Sequence, residues 1–300
     1  RKAMMDTIRE MQAQGISKIY VLTPEQSTYV MDKECCIELG NSFSNQYIQV
    51  VGFKRLARLV YAQCGGYEEL MGDGARLLAM TVAVDKVIKD LTFYKASARR
   101  PDFLEMLLST YTTMKMHGVT LSMLAEAAKQ MLEKEPGLGG KLSDLSKIYT
   151  EYEELCADGT KDATEELTHL NAILDEREFL TGTAWFVDGF TDFPMQQFEL
   201  LSTIIKKSAY VMLTLPADGM DDTSPAHQIP VQTAEMLQRK FKAEIADTRE
   251  ETKVHPALAA LQKTLCSGTV VKNITIPGAE KHIKLFCDPS PYQECQHIAG

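Results

Sequence analysis

Apolar positions recur along this chain at two alternating periods, and the alternation predicts the architecture. Met4, Ile8 and Met11 share one helical face, so residues 1–14 read as the latter part of a helix, stopped by Gly15. Residues 17–23 (SKIYVLT) then read as a strand that closes on Pro24-Glu25-Gln26, with a helix over 27–40. A second strand is expected over 46–51 (QYIQVV), running into Gly52-Phe53-Lys54-Arg55-Leu56 and a helix that Gly65-Gly66 ends after Cys64. This helix–strand rhythm is that of a parallel sheet. After Gly72-Asp73-Gly74 the pattern turns helical throughout, over 75–91, 101–116, 120–134 and 141–157. The strand period returns at 184–188, where Trp185, Phe186 and Val187 form the apolar run of a strand buried on both faces. A helix over 194–206 follows, with Thr191 or Asp192 as its cap and Pro194 in its first turn, and then a strand over 209–215. The helical block therefore reads as an insertion between two strands of one sheet. Beyond it, 216–230 is a loop, 231–242 and 256–265 are helices, Ile274 and 282–287 (HIKLFC) are strands, and a last helix begins at Ser290.

Composition narrows the picture. An apolar content of 45% in 300 residues suffices for a core, and a net charge of −9 argues against a purely electrostatic nucleic-acid binder, though not against a local basic groove. The seven cysteines are odd in number and form no CxxC pair, which fits reduced thiols in the cytoplasm better than a disulfide frame or a zinc site. No apolar run reaches the length of a membrane span and no signal-peptide pattern is present, so a cytoplasmic, non-membrane protein is expected. A helical pattern is already under way at Arg1 and another is cut at Gly300, as in a piece of something longer.

The candidate chemistry lies at the strand ends. Asp188 stands where α/β proteins place ligand chemistry. In a P-loop ATPase such an Asp holds Mg²⁺ and a following Glu orients the attacking water, but here Gly189 follows. Asp188 equally suits a structural role, accepting from backbone N–H groups of its turn. The loop Thr23–Thr28 either caps a helix or contacts nucleic acid, with Gln26 and Thr28 as the reading groups. Phe53 with Lys54, Arg55 and Arg58 is the most basic cluster beside an aromatic, a recipe for stacking bases and neutralising phosphates; the alternative is a solvated helix face with Phe53 in the core. Lys95, Arg99 and Arg100 form a weaker basic patch. The run Pro136-Gly137-Leu138-Gly139-Gly140-Lys141-Leu142 fails the phosphate-loop pattern, having Glu135 and Leu142 at two required positions, and reads as a turn between helices. The histidines are scattered along the sequence with no triad or ligand spacing, and the methionines sit at core spacing.

In order, SKIYVLTPEQSTY, YIQVVGFKRLARLVYAQCGG, the helical insertion, WFVDGFTDFPMQQFELL and YVMLTLPAD resemble the B subunit of the AddAB (RexAB) helicase–nuclease over nearly the whole chain. The resemblance implies a P-loop NTPase fold like a superfamily 1 helicase core. A RecA-like domain would span 1–72 and 180–280, with a helical insertion over 73–179 and a second RecA-like domain starting at 281–300. It implies a family phosphate loop upstream of a helix like 1–14, ATP and Mg²⁺ as ligands of the longer protein, and a C-terminal nuclease domain with an iron–sulfur cluster beyond residue 300. It also implies a heterodimer whose A subunit is the motor, the B core instead scanning exported single-stranded DNA for the recombination hotspot Chi. Gln26, Thr28, Phe53 and Arg55 map onto its reading loops, while Arg58 stands where the family has another aromatic or basic residue. Gly189 agrees with a non-motor role. Two other readings stay open: a competent ATP-dependent helicase in which Asp192 or Glu199 replaces the missing acid, and a docking subunit without DNA binding of its own.

Overall fold

The computed structural model describes residues 1–157, 161–217, 219–221, 224–248, 254–267 and 275–299. It divides into two compact units, Arg1–Thr214 and Leu215–Gly300.

In the first unit, α1 (Lys2–Ala13) leads into β1 (Ile19–Leu22), followed by α2 (Thr28–Leu39), α3 (Asn41–Tyr47), β2 (Ile48–Val51) and α4 (Phe53–Cys64). The expected strand over 46–51 is thus shorter, because α3 takes its first two residues. Phe43 and Tyr47 lie one turn apart on that helix with their rings 5.2 Å from each other, a pairing only the helical period allows. Next come α5 (Asp73–Val87), α6 (Pro101–Met116), α7 (Leu121–Lys134), α8 (Pro136–Ala157) and α9 (Glu166–Glu176), and then β3 (Ala184–Val187), α10 (Met195–Lys207) and β4 (Tyr210–Leu213).

Among the described residues the four strands form one parallel sheet in the order β2-β1-β3-β4. All four residues of β1 and of β3 are buried, as continuous apolar strands between two layers must be. On one face Ile19, Val21, Ala184 and Phe186 meet Met4, Ile8 and Met11 of α1 and Met31 and Cys35 of α2. Burial pushes the Cys35 thiol up to about 12, so it acts as an inert apolar filler. On the other face Tyr20 stacks on Trp185 at 4.5 Å and meets Phe179, and the indole N–H donates to Thr183 Oγ1 at 2.9 Å.

Helices α5 to α8 carry their own core, built from Met80, Val84, Leu107, Tyr111, Ile148, Tyr149 and Tyr152. Two buried carboxylates organise it. Asp144 accepts from the backbone N–H groups of Thr92, Phe93 and Tyr94, which fixes the connection between α5 and α6. Asp162 accepts from Arg76 Nε at 2.9 Å, from the Tyr152 hydroxyl and from the Thr164 N–H at 2.8 Å. Burial alone would raise the Asp162 carboxyl, but these donors outweigh it and hold it below the usual range. The chain enters and leaves the block side by side, with Met71 N–H donating to Lys161 O at 2.9 Å.

The glycine run at 136–140 is not a turn. It is the first part of α8, and none of its glycines has a positive φ. A Cβ on Gly139 would lie 2.4 Å from the backbone nitrogen of Leu132, so this glycine allows α8 to close on the end of α7. Likewise α10 starts one residue after Pro194, which occupies the cap position without a side-chain cap, in place of the expected Thr191 or Asp192.

The second unit contains α11 (Gln228–Phe241), α12 (Pro256–Ser267) and α13 (Pro291–Ala299). Residues 282–287, expected as a strand, form none: no neighbouring strand exists among the described residues of this unit, and Leu285 is 95% exposed. Ile274 lies outside the described residues.

Candidate nucleic-acid interface

In the order β2-β1-β3-β4 the connections leave β1 and β3 toward opposite sides, so the crevice beyond the carboxyl ends of these two strands is the natural ligand position of such a sheet. The ladder continues one residue past each strand. Thr23 N–H donates to Val51 O, Asp188 N–H to Leu22 O and Thr214 N–H to Val187 O, which brings Thr23, Asp188 and Thr214 to one rim.

Asp188 is buried and does not turn onto the N–H groups of its own turn. Its Oδ2 accepts from Arg1 Nε at 3.1 Å and its Oδ1 from the Thr214 hydroxyl, while Arg1 also bridges to Glu34 at 2.7 Å. Gly189 has φ +86°, and a Cβ there would lie 3.2 Å from Pro24 Cδ and 3.3 Å from Thr23 Oγ1. The position therefore selects glycine and leaves no easy room for an acid. Thr23 Oγ1 is fully buried without a hydrogen-bond partner among the described residues. A magnesium–nucleotide site needs carboxylate oxygen held free for the ion or its waters. Here the Asp188 carboxylate is engaged at both oxygens, so as arranged it holds none free for such an ion. Asp192 and Glu199, the alternative acids, are exposed. Among the described residues no group of His, Cys, Asp and Glu is arranged to hold a metal ion.

The loops after β1 and β2 are locked together by Glu25. Its carboxylate accepts from the Lys54 N–H at 2.7 Å and thereby caps α4, not the adjacent α2. A Cβ on Gly52 would lie 2.4 Å from the Glu25 carboxyl carbon, so the glycine is what admits this anion. Within the loop, Thr28 Oγ1 donates to Glu25 O at 2.9 Å, leaving Gln26 exposed at the tip.

Around this lock the predicted residues separate by exposure. Lys54, Arg55 and Arg58 are exposed on α4. Arg55 has no hydrogen-bond or ion-pair partner among the described residues, whereas Arg99 and Arg100 of the weaker patch are neutralised by Asp85 at 2.8 Å and Asp102 at 2.9 Å. Phe53 is only 8% exposed; its ring meets Phe190 edge-on at 5.8 Å, and Phe190 packs on Phe193 at 5.0 Å. It supports the ridge from beneath. Sequence reasoning did not single out Glu25 as a cap or the Thr214 and Arg1 contacts to Asp188, because all three join residues distant in the chain.

A parallel α/β sheet with a cationic ridge beside the rim at its strand ends is the class of protein this geometry defines. Residues 1–262 match the family described as "ADDB, N-terminal", and the chain belongs to that family. It is 31% identical over 210 residues to the B subunit of the ATP-dependent helicase/deoxyribonuclease of Thermoanaerobacter sp. (strain X514), covering 68% of this chain and 18% of that protein. It is 26% identical over 299 residues to the corresponding protein of Clostridium acetobutylicum, which carries the same name, covering 95% of this chain and 25% of that protein. The chain thus spans between 18% and 25% of the length of these relatives.

Proposed function

We propose that this chain is the helicase-like, non-motor core of a B subunit in a DNA-break repair helicase–exonuclease, and that it binds single-stranded DNA along the loops after β1 and β2. The sheet would be the RecA-like sheet of a superfamily 1 helicase with α5 to α9 as its insertion. Lys54, Arg55 and Arg58 would neutralise phosphates, and Gln26 and Thr28 would read base edges as the strand is scanned for a hotspot sequence. A motor A subunit would drive translocation. The observation that carries this reading is Arg55, an exposed cation with no ion-pair partner among the described residues, beside Lys54 and Arg58 in a chain of net charge −9. Gly189 supports a non-motor role, because its positive φ and its closeness to Pro24 oppose an acid at that position.

Fluorescence anisotropy of the chain with oligothymidylate at several salt concentrations tests the reading. Binding should weaken with salt, and Arg55→Ala should flatten the log–log slope by about 0.7, one single-strand phosphate contact. An unchanged slope removes Arg55 from the footprint. Absence of binding by the folded chain favours a docking role instead.

A further inference from the structure

Helix α4 continues beyond its cationic start toward a second group of rings, of which Tyr67 is exposed. Lys54, Arg58 and Tyr61 are spaced i, i+4, i+7 and share one face of the helix, with Tyr61 roughly 10 Å along the axis from Lys54. That face lies against α9. Burial raises the half-buried Glu166 carboxyl, Lys54 and Arg58 pull it back down, and Glu25 pushes it up, so the two cations and a second acid all act on this carboxyl. One turn further along α9, His169 lies 6.0 Å from the Tyr61 ring and its Nε2 is 2.6 Å from Gly66 O. This bond pins the segment that carries Tyr67. The Tyr67 ring meets Tyr61 edge-on at 5.9 Å and is nonetheless 71% exposed. Tyr61 is itself half-buried, with its hydroxyl pushed up to about 12 by burial and by Glu166 and Glu68, so it serves as backing and Tyr67 as the open face. Glu68, the next acid, is occupied by Lys161 at 2.7 Å.

We infer that the seam between α4 and α9 is a second single-strand subsite, in which Tyr67 stacks on a nucleobase and Arg58 holds the phosphate between it and the strand-end loops. The inference rests on the single-strand reading above and extends it. A cationic ridge that runs into a fixed, solvent-facing aromatic is the combination sequence-tolerant single-strand grooves use. It also supplies the open ring that Phe53, buried beneath Phe190, does not. Glu166 is a carboxylate that opposes a phosphate here, and it sets the sign of a second test.

The experiment uses the 300-residue chain and oligothymidylate long enough to reach both subsites. Tyr67→Ala should weaken binding about 5- to 100-fold, and an oligonucleotide of abasic residues, which keeps its phosphates but has no base to stack, should be insensitive to the substitution. Glu166→Gln should tighten binding. Trp185 is the only tryptophan and is fully buried, so Tyr67→Trp adds a single exposed reporter whose emission should be quenched along the binding isotherm. If Tyr67→Ala binds within two-fold of the parent while Arg55→Ala is impaired, the seam is wrong and the strand-end reading stands. Equal loss on abasic DNA overturns stacking. If the parent chain binds no single strand, both fall together.

Discussion

Gly189→Ala probes the rim of the sheet with one carbon atom, and the structure supplies its own reference. Gly189 and Gly15 have nearly the same φ, +86° and +91°, but a Cβ on Gly15 would meet nothing within 4 Å. Forcing an L-residue into this region costs on the order of 1–2 kcal/mol at either position. At Gly189 the new methyl must also displace the Pro24 ring and the Thr23 hydroxyl, which lie 3.2 and 3.3 Å away. Both belong to a packed strand end, so overpacking adds about 1 kcal/mol or more. Gly15→Ala should therefore cost about 1–2 kcal/mol and Gly189→Ala about 2–3 kcal/mol. Urea unfolding reads both as midpoint shifts at constant m. Equal losses would show that the crevice between β1 and β3 is looser than described, and a stabilised Gly189→Ala would refute the claim that this position selects glycine.

Other groups give sharper losses. Asp144→Ala leaves three backbone N–H groups without their acceptor and should cost about 3 kcal/mol or more by the same unfolding measurement. Arg76→Ala should cost about 3 kcal/mol, since Asp162 stays buried with only Tyr152 and Thr164 to hold its charge. The Asp162 carboxyl is depressed on folding, so its contribution is fully present above the ordinary carboxylate value of 3.8 and is lost as pH falls through the lower folded value. Acid unfolding of Asp162→Asn should accordingly lose part of the steepness below about pH 4 that the parent shows. Glu25→Ala removes the cap of α4 and should cost about 1 kcal/mol, while Glu25→Gln, which keeps an acceptor for Lys54 N–H, should recover part of it.

What was legible in the sequence follows from what is local. β1 and β3 were readable because their apolar runs are uninterrupted, and α4 because Leu56, Ala57 and Val60 repeat at helical spacing. α9 also carried its signal, in Leu170, Ile173 and Leu174, although it was absorbed into the helical block without its own bounds. α3 was hidden because NSFSNQY offers no long apolar period, and the glycine-rich stretch at 136–140 misled because Gly139 there serves helix approach and not a turn. Within the site, the cations were legible as a cluster. Burial of Phe53, exposure of Tyr67 and the Glu25 bond to Lys54 were not, since each depends on elements joined only by the fold.

The central claim is that single-stranded DNA lies across the ends of β1 and β2. Photocrosslinking the chain to oligonucleotides carrying 5-iododeoxyuridine, followed by peptide mapping, tests it most directly. Crosslinked peptides are expected from residues 24–33 and 53–67. Crosslinks confined to residues 101–157 of the helical block would contradict the claim.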